Sequence, residues 1–387
     1  MFNIKYYIKK YGNYLKNIEK DEQEKKLQQI ISFDKINNEY KKNNNSILFV
    51  VPSFSFGAGG LTSISRIASK CQKEGYNVFF YDYSQHRNDK NKEIAKKNFN
   101  EIEYNFLNKE EVEKNNFDIV VASNWQSVYY AKKINGYKIY FVQDYEPFFS
   151  NISADYFLAK KTYELGFHII SLGKWNIDQI KKYSNEDIKY NWIDFPYNPK
   201  EYTFVKRDYS SYKCLKEIKF AIYIKRENKR IPGTIKAFIE LTNEFLKNKG
   251  IKLIPYYFGL NPREKVNFGT NLGKLSKKEL NKLYHECHFG MVASLTNISL
   301  VPLEMLGTGL PIFEFKDGSF ESFLGNETAT LLELNYQDFV DKLLMILNNT
   351  SIIEKQIEKA QELLKNLTWE KTCNQFCDIL KSIEAGK

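Results

Sequence analysis

Two stretches of the sequence combine carboxylates and backbone donors in patterns suited to a sugar and a phosphate. Residues 294 to 313 read S-L-T-N-I-S-L-V-P-L-E-M-L-G-T-G-L-P-I-F. An apolar strand over 289–293 runs into a short polar loop. A helix starts near Ser299, and Gly307 and Gly309 end it before Pro311. The loop and first turn, Thr296, Asn297, Ile298, Ser299 and Leu300, therefore offer unpaired N–H groups and the positive end of a helix dipole to a diphosphate. Glu304, a little over one turn further in, can accept hydrogen bonds from ribose hydroxyls. The alternative is an ordinary βαβ unit with Glu304 solvated on its helix. Residues 141 to 149 read F-V-Q-D-Y-E-P-F-F. If the strand stays extended to its end, Asp144 and Glu146 project to one side and Pro147 stops the ladder. One carboxylate could then act as general base toward a hydroxyl, or the pair could orient sugar hydroxyls. A strand-end acidic pair bonded to nearby backbone is the other reading.

Charge and glycine supply two more candidates. In A-I-Y-I-K-R-E-N-K-R-I-P-G-T, residues 221 to 234, a strand gives way to Lys225, Arg226, Lys229 and Arg230 ahead of the next helix. Cations there could stabilise negative charge developing on a departing diphosphate without a metal ion, or form a solvated surface. In V-P-S-F-S-F-G-A-G-G-L-T-S-I, residues 51 to 64, Gly57, Gly59 and Gly60 lie between a strand and a helix, where backbone N–H groups can approach a phosphate or sugar. The spacing is not G-x-G-x-x-G, which disfavours a dinucleotide oxidoreductase. His285 and His288 flank Cys287 but match no common zinc spacing, so they read as structural, and no metal or cofactor is expected. His86 reads as a surface-loop residue.

The elements that must position these residues alternate. Strands are expected over 47–52, 78–83, 119–123, 138–143 and 169–172, with a helix over 61–74. A second series has strands over 218–224, 253–258, 289–293 and 312–315, with helices over 234–247, 277–286 and 300–306. This is an α/β pattern of two Rossmann-like, doubly wound parallel sheets, joined near residues 198 to 215, with ligands beyond the carboxyl ends of the strands in the cleft between them. The expected division is 1–45, an N-terminal basic helical segment; 46–205 and 206–365, the two Rossmann-like domains; and 366–387, a terminal helix. In the first segment Ile4, Tyr7, Ile8, Tyr11, Tyr14, Leu15 and Ile18 recur at helical spacing among lysines, before the linker K-K-N-N-N at 41–45. Such a helix either rests on an anionic membrane or packs on its own domain.

Composition agrees with a large two-domain enzyme: 387 residues, 43% hydrophobic and 16% aromatic, exceed one comfortable core. Lys+Arg 57 against Asp+Glu 47 gives +10, which favours anionic partners. No basic patch shows the interleaving of an RNA-binding module, so a nucleic-acid-binding protein is only an alternative. Five scattered cysteines without a C-x-x-C pair fit a reducing cytoplasm, and no apolar run approaches the roughly 20 residues of a spanning helix.

The 294–313 stretch resembles the donor-binding signature of family 4 glycosyltransferases with the GT-B fold, where a helix with a Leu-Glu-Met or Leu-Glu-Ala core precedes Gly-Leu-Pro. The family has two glutamates seven residues apart, and Thr296 occupies the place of the first. The 141–149 segment resembles bacterial rhamnosyltransferases of this fold that extend surface polysaccharides and also lack that glutamate. The resemblance implies a metal-independent glycosyltransferase using a nucleotide sugar, dTDP-rhamnose in particular, on a glycan or lipid-linked acceptor. It further implies that Lys225 or Arg230 neutralises the diphosphate, that Gly59 and Gly60 face it, and that Gly259, Lys274 and Leu275 wall the base. It makes 46–205 the acceptor domain and 206–365 the nucleotide-sugar donor domain, with the terminal helix crossing back to the first. The missing glutamate leaves a catalytically inactive sugar-binding or scaffold subunit as a further alternative.

Overall fold

The computed structural model describes residues 22, 24–84, 88–184, 187–225 and 231–386. The first domain runs β1 (Ser46–Val51), α1 (Gly59–Lys73), β2 (Asn77–Asp82), α2 (Asn88–Asn98), α3 (Lys109–Lys114), β3 (Ile119–Ala122), α4 (Trp125–Lys132), β4 (Tyr137–Val142), α5 (Ala154–Thr162), β5 (His168–Leu172), α6 (Lys174–Tyr183) and β6 (Tyr190–Ile193). Its strands are all parallel, in the order β2-β1-β3-β4-β5-β6. β1 is buried at every position because both faces of a parallel sheet are covered. Ile47, Phe49 and Val51 face α1, while Leu48 and Val50 face the α4 to α6 side.

The second domain runs β7 (Glu217–Tyr223), α7 (Pro232–Lys247), β8 (Lys252–Phe258), β9 (Thr270–Gly273), α8 (Lys277–Glu286), β10 (Phe289–Met291), α9 (Leu300–Gly307), β11 (Ile312–Phe315), α10 (Phe320–Leu324), β12 (Thr330–Leu332), α11 (Tyr336–Asn348), α12 (Ser351–Leu364) and α13 (Trp369–Glu384). Its parallel sheet has the order β12-β11-β10-β7-β8-β9. The winding direction reverses between β1 and β3 in one sheet and between β7 and β10 in the other. Ligands of doubly wound sheets sit beyond the carboxyl ends at such switch points.

α13 lies against the first domain. Phe376 meets Phe141 edge to face at 5.8 Å, Tyr76 Oη donates to Glu384 at 2.5 Å, and Lys381 pairs with Glu74 at 2.8 Å. Residues 41–45, read as a linker, are tied into the first domain: Asp118 accepts from the backbone N–H groups of Asn43, Asn44 and Ser46 at 2.6, 3.0 and 2.9 Å. The amphipathic stripe over residues 4 to 18 lies outside the described residues. Among the described residues, no helix is long and apolar enough to cross a membrane.

Candidate active site

The loop between β10 and α9 is fixed at its entrance by a buried carboxylate. Glu314 accepts from the Ser294 N–H at 3.0 Å and from Ser294 Oγ at 2.6 Å, and Ser319 N donates to the Ser294 carbonyl at 2.6 Å. The chain then turns toward the first domain, so Thr296, Asn297 and Ile298 are buried and do not line an open seat. Thr296 Oγ1 donates to Asp144 at 2.9 Å, and Tyr145 N donates to the Thr296 carbonyl at 3.1 Å. Asn297 Nδ2 donates to the Leu172 carbonyl at 3.2 Å and to that of Gln143. These bonds form a clasp between the two sheets. Ser299 and Leu300, at the head of α9, are half-buried. Ser299 sits at the N-cap without bonding its own helix, and its Oγ is buried with no partner. Pro302 removes one donor from the first turn, which leaves Leu300 and Val301 to supply the N–H groups there.

Glu304 lies further along α9 among groups contributed by the interdomain linker and α8. Burial pushes its carboxyl up to about 7; Glu201 raises it further, while the Tyr202 and Tyr284 hydroxyls and Lys277 pull it down. The residue as a whole is half-buried. Lys277 and Arg66 both pair with Glu201, at 2.6 and 2.8 Å. Arg66 comes from α1 and also stacks over Trp369 of α13 at 4.8 Å. The surroundings of Glu304 are thus built from both domains.

Asp144 and Glu146 do not face one place. β4 stops at Val142, and Glu146 opens a 3-10 turn (Glu146–Phe149), because Pro147 cannot extend the ladder. Asp144 turns to Thr296 in the second domain. Glu146 turns inward, where its Oε2 accepts from Trp125 N at 2.5 Å and from Tyr140 Oη at 2.8 Å. It thereby caps α4, the strand-end role left open by the sequence.

The other candidates lie beyond the carboxyl ends of strands in the two sheets. Gly59 and Gly60 open α1, which has no acidic residue in its first turn, and a Cβ on Gly60 would come within 3.2 Å of the Gln143 side chain. Gly57, at φ +71°, makes the preceding turn. Lys225 follows β7 with its Nζ 5.8 Å from the centroid of the Tyr223 ring. Gly259, at φ +96°, donates its N–H to the Gly273 carbonyl at 2.8 Å, and a Cβ there would lie 2.7 Å from the Ile224 carbonyl. It joins the ends of β7, β8 and β9. Leu275 packs on the core and Lys274 is exposed. Arg230, Arg226, Lys229 and His86 lie outside the described residues.

No protein-family model matches the sequence, and no curated protein does. Solved structures do match. HepE of Anabaena, in complex with UDP and glucose, aligns with a TM-score of 0.67 at 11% identity over 87% of this chain and 99% of HepE. Sucrose-phosphate synthase from Thermosynechococcus elongatus aligns at 0.66 and 11% identity, over 89% of this chain and 100% of the enzyme. WaaG, a glycosyltransferase involved in lipopolysaccharide biosynthesis, aligns at 0.61 and 14% identity, covering 86% and 99%. The chain has the GT-B fold.

Within this GT-B fold, Lys225, Gly259 and the head of α9 follow the carboxyl ends of β7, β8 and β10, while Gly59, Gly60 and Asp144 follow those of β1 and β4. Among the described residues no group of three or more His, Cys, Asp or Glu could hold a metal ion. Tyr202, Tyr284, Glu201, Lys277 and Arg66 gave no local signal in the sequence. Their convergence on Glu304 depends on how the linker and α8 meet. Gly307 lies where a Cβ would fall 2.4 Å from the Tyr197 ring, so the linker packs directly on α9.

Proposed function

We propose that this chain is a glycosyltransferase that moves a sugar from a nucleoside diphosphate sugar to a glycan or lipid-linked acceptor. The observation that carries this reading is the head of α9 at the switch point of the second GT-B sheet, where an unpartnered Ser299 Oγ and backbone donors precede a carboxylate poised near neutrality. The donors suit a diphosphate, and Glu304 suits ribose hydroxyls. HepE, solved with UDP and glucose, supports the ligand class. Lys225, with Arg230, would stabilise charge on the leaving diphosphate. Asp144 is the candidate base or sugar-orienting group; Glu146, committed to α4, is withdrawn from that role. Rhamnose from dTDP-rhamnose, and a growing surface polysaccharide as acceptor, are the specific substrates we favour by resemblance. A peripheral contact with an anionic membrane through residues 1 to 20 belongs to the same proposal.

A thermal-shift panel of dTDP-, UDP- and GDP-sugars tests the donor. A ligand at 100 times its dissociation constant should stabilise by about 2.7 kcal/mol, and preference for thymidine would support rhamnose. No shift with any nucleotide sugar would overturn the reading. A catalytically inactive sugar-nucleotide binder is the second reading, favoured by the hydrogen bonding of both Asp144 and Glu146. Binding without transfer or hydrolysis of any labelled donor would establish it.

A further inference from the structure

Three of the five cysteines meet where α13 crosses α1. The two helices run in the same direction along this seam. Arg66 of α1 stacks over Trp369 of α13 at 4.8 Å, Glu74, just past α1, pairs with Lys381 at 2.8 Å, and Tyr76 donates to Glu384 at 2.5 Å. Cys71 therefore falls opposite the turn of α13 that carries Cys377, with Cys373 one turn back on the same face. The Cys71 and Cys377 thiols share a hydrogen bond across the seam. All three cysteines are buried, and none is in a disulfide.

Their surroundings distinguish the thiols. Cys71 gives the shared hydrogen bond and is fully buried, and both raise it well above the ordinary thiol range. Cys377 accepts that bond, which holds its thiol below the ordinary range; the Lys70 and Lys381 ammonium groups act in the same direction, against burial and Glu74. Those lysines are partly exposed and both pair with Glu74 at 2.8 Å, so a cationic rim covers the solvent side of the seam. Burial pushes the Cys373 thiol up to about 12. The thiolate is the reactive form, so Cys377 is the member that reacts first and Cys71 the one that resolves.

We propose that Cys377 and Cys71 form an oxidisable pair whose disulfide fixes α13 to α1, with hydrogen peroxide as the oxidant. The Cys377 thiolate attacks one peroxide oxygen. The S–O bond forms, the O–O bond breaks, and the departing hydroxide takes the proton that the thiol released, leaving water and a sulfenic acid. The Cys71 sulfur then attacks the Cys377 sulfur. The S–S bond forms, the S–O bond breaks, and hydroxide leaves with the Cys71 proton as a second water. The two thiols together lose two hydrogens with their electrons, and a thiol reductant reverses the change. The bond joins elements from opposite ends of the fold: α1 begins with Gly59 and Gly60, and α13 follows the second domain. It would close a loop of about 300 residues, a strong constraint on the unfolded chain.

The test exposes the reduced full chain to hydrogen peroxide, blocks the remaining thiols with N-ethylmaleimide under denaturing conditions, and maps the unreduced peptides by mass spectrometry. A Cys71–Cys377 peptide pair lighter by two hydrogens than its separate thiols should form, with Cys214 as the exposed reference thiol. The oxidised chain should melt roughly 5–10 °C above the reduced one until a dithiol reverses both changes. With dimedone present, Cys71→Ala should accumulate adduct on Cys377, whereas Cys377→Ala should leave Cys71 unlabelled. The peptide mapping uses the natural chain, so misfolding of either variant leaves the proposal decidable. No Cys71–Cys377 peptide at a dose that oxidises Cys214, a bridge to Cys373 in its place, or a melting temperature unchanged by the bridge would overturn the proposal.

Discussion

Glu304 concentrates the residue-scale argument because its ionisation links stability to the proposed chemistry. Its carboxyl is raised to about 7 from an ordinary 4.5, so between these values the folded chain holds a proton that the unfolded chain has lost. Stability attributable to this group therefore falls as pH rises from about 4.5 to 7 and stays low above that. Glu304→Gln should remove the fall, leaving the variant more stable than wild type at pH 8 by on the order of 1–3 kcal/mol and little changed at pH 5. Urea denaturation at the two pH values checks this, and identical curves would show that the carboxylate is not buried. The same variant should bind nucleoside diphosphate more weakly, because the charged acceptor for ribose is gone. Lys225→Ala should lower turnover by about 2–4 kcal/mol in transition-state stabilisation if Lys225 meets the diphosphate in a desolvated site. Steady-state kinetics decide, and a normal kcat/KM would remove Lys225 from the site.

At the element scale, the legible parts were those whose signal is local. The buried strands of both sheets, the glycine loop before α1 and the Gly307 and Gly309 stop after α9 follow from apolar runs and backbone requirements. β6, β9 and β12 were not anticipated. β6 reads Tyr-Asn-Trp-Ile and β9 Thr-Asn-Leu-Gly; these are short edge strands with only the last residue of each buried, so no continuous apolar run marks them. The paired orientation of Asp144 and Glu146 failed for a physical reason: alternation was extended past Val142, where Pro147 and the capping of α4 redirect the chain. Thr296 and Asn297 were read as ligand-facing because a loop at a helix head is usually open, and only the opposing domain buries them. Gly259 shows what an element junction demands. Gly259→Ala would need a side chain at φ +96° with its Cβ 2.7 Å from the Ile224 carbonyl, and should destabilise the second domain by about 1–3 kcal/mol. A fall in the denaturation midpoint with an unchanged slope is the expected result.

For the whole molecule, the two sheets are held by the clasp of Thr296 and Asn297 on residues 143 to 145 and Leu172, by the Arg66, Glu201 and Lys277 pairs, and by α13 lying across α1. The halves, their order and the returning terminal helix could be anticipated from the alternation and the resemblance. The clasp could not, because it depends on contacts about 150 residues apart. Asp144→Asn keeps the shape of the clasp and removes the charge, so it separates the clasp from the chemistry. The most direct measurement is release of nucleoside diphosphate and transfer of labelled sugar from a panel of nucleotide sugars, with wild type and Asp144→Asn side by side. One nucleotide sugar should be turned over by wild type, Asp144→Asn should still bind it, and the variant's turnover should fall by roughly 10²–10⁴ if Asp144 is the base. Failure of wild type to bind or turn over any nucleotide sugar would contradict the account.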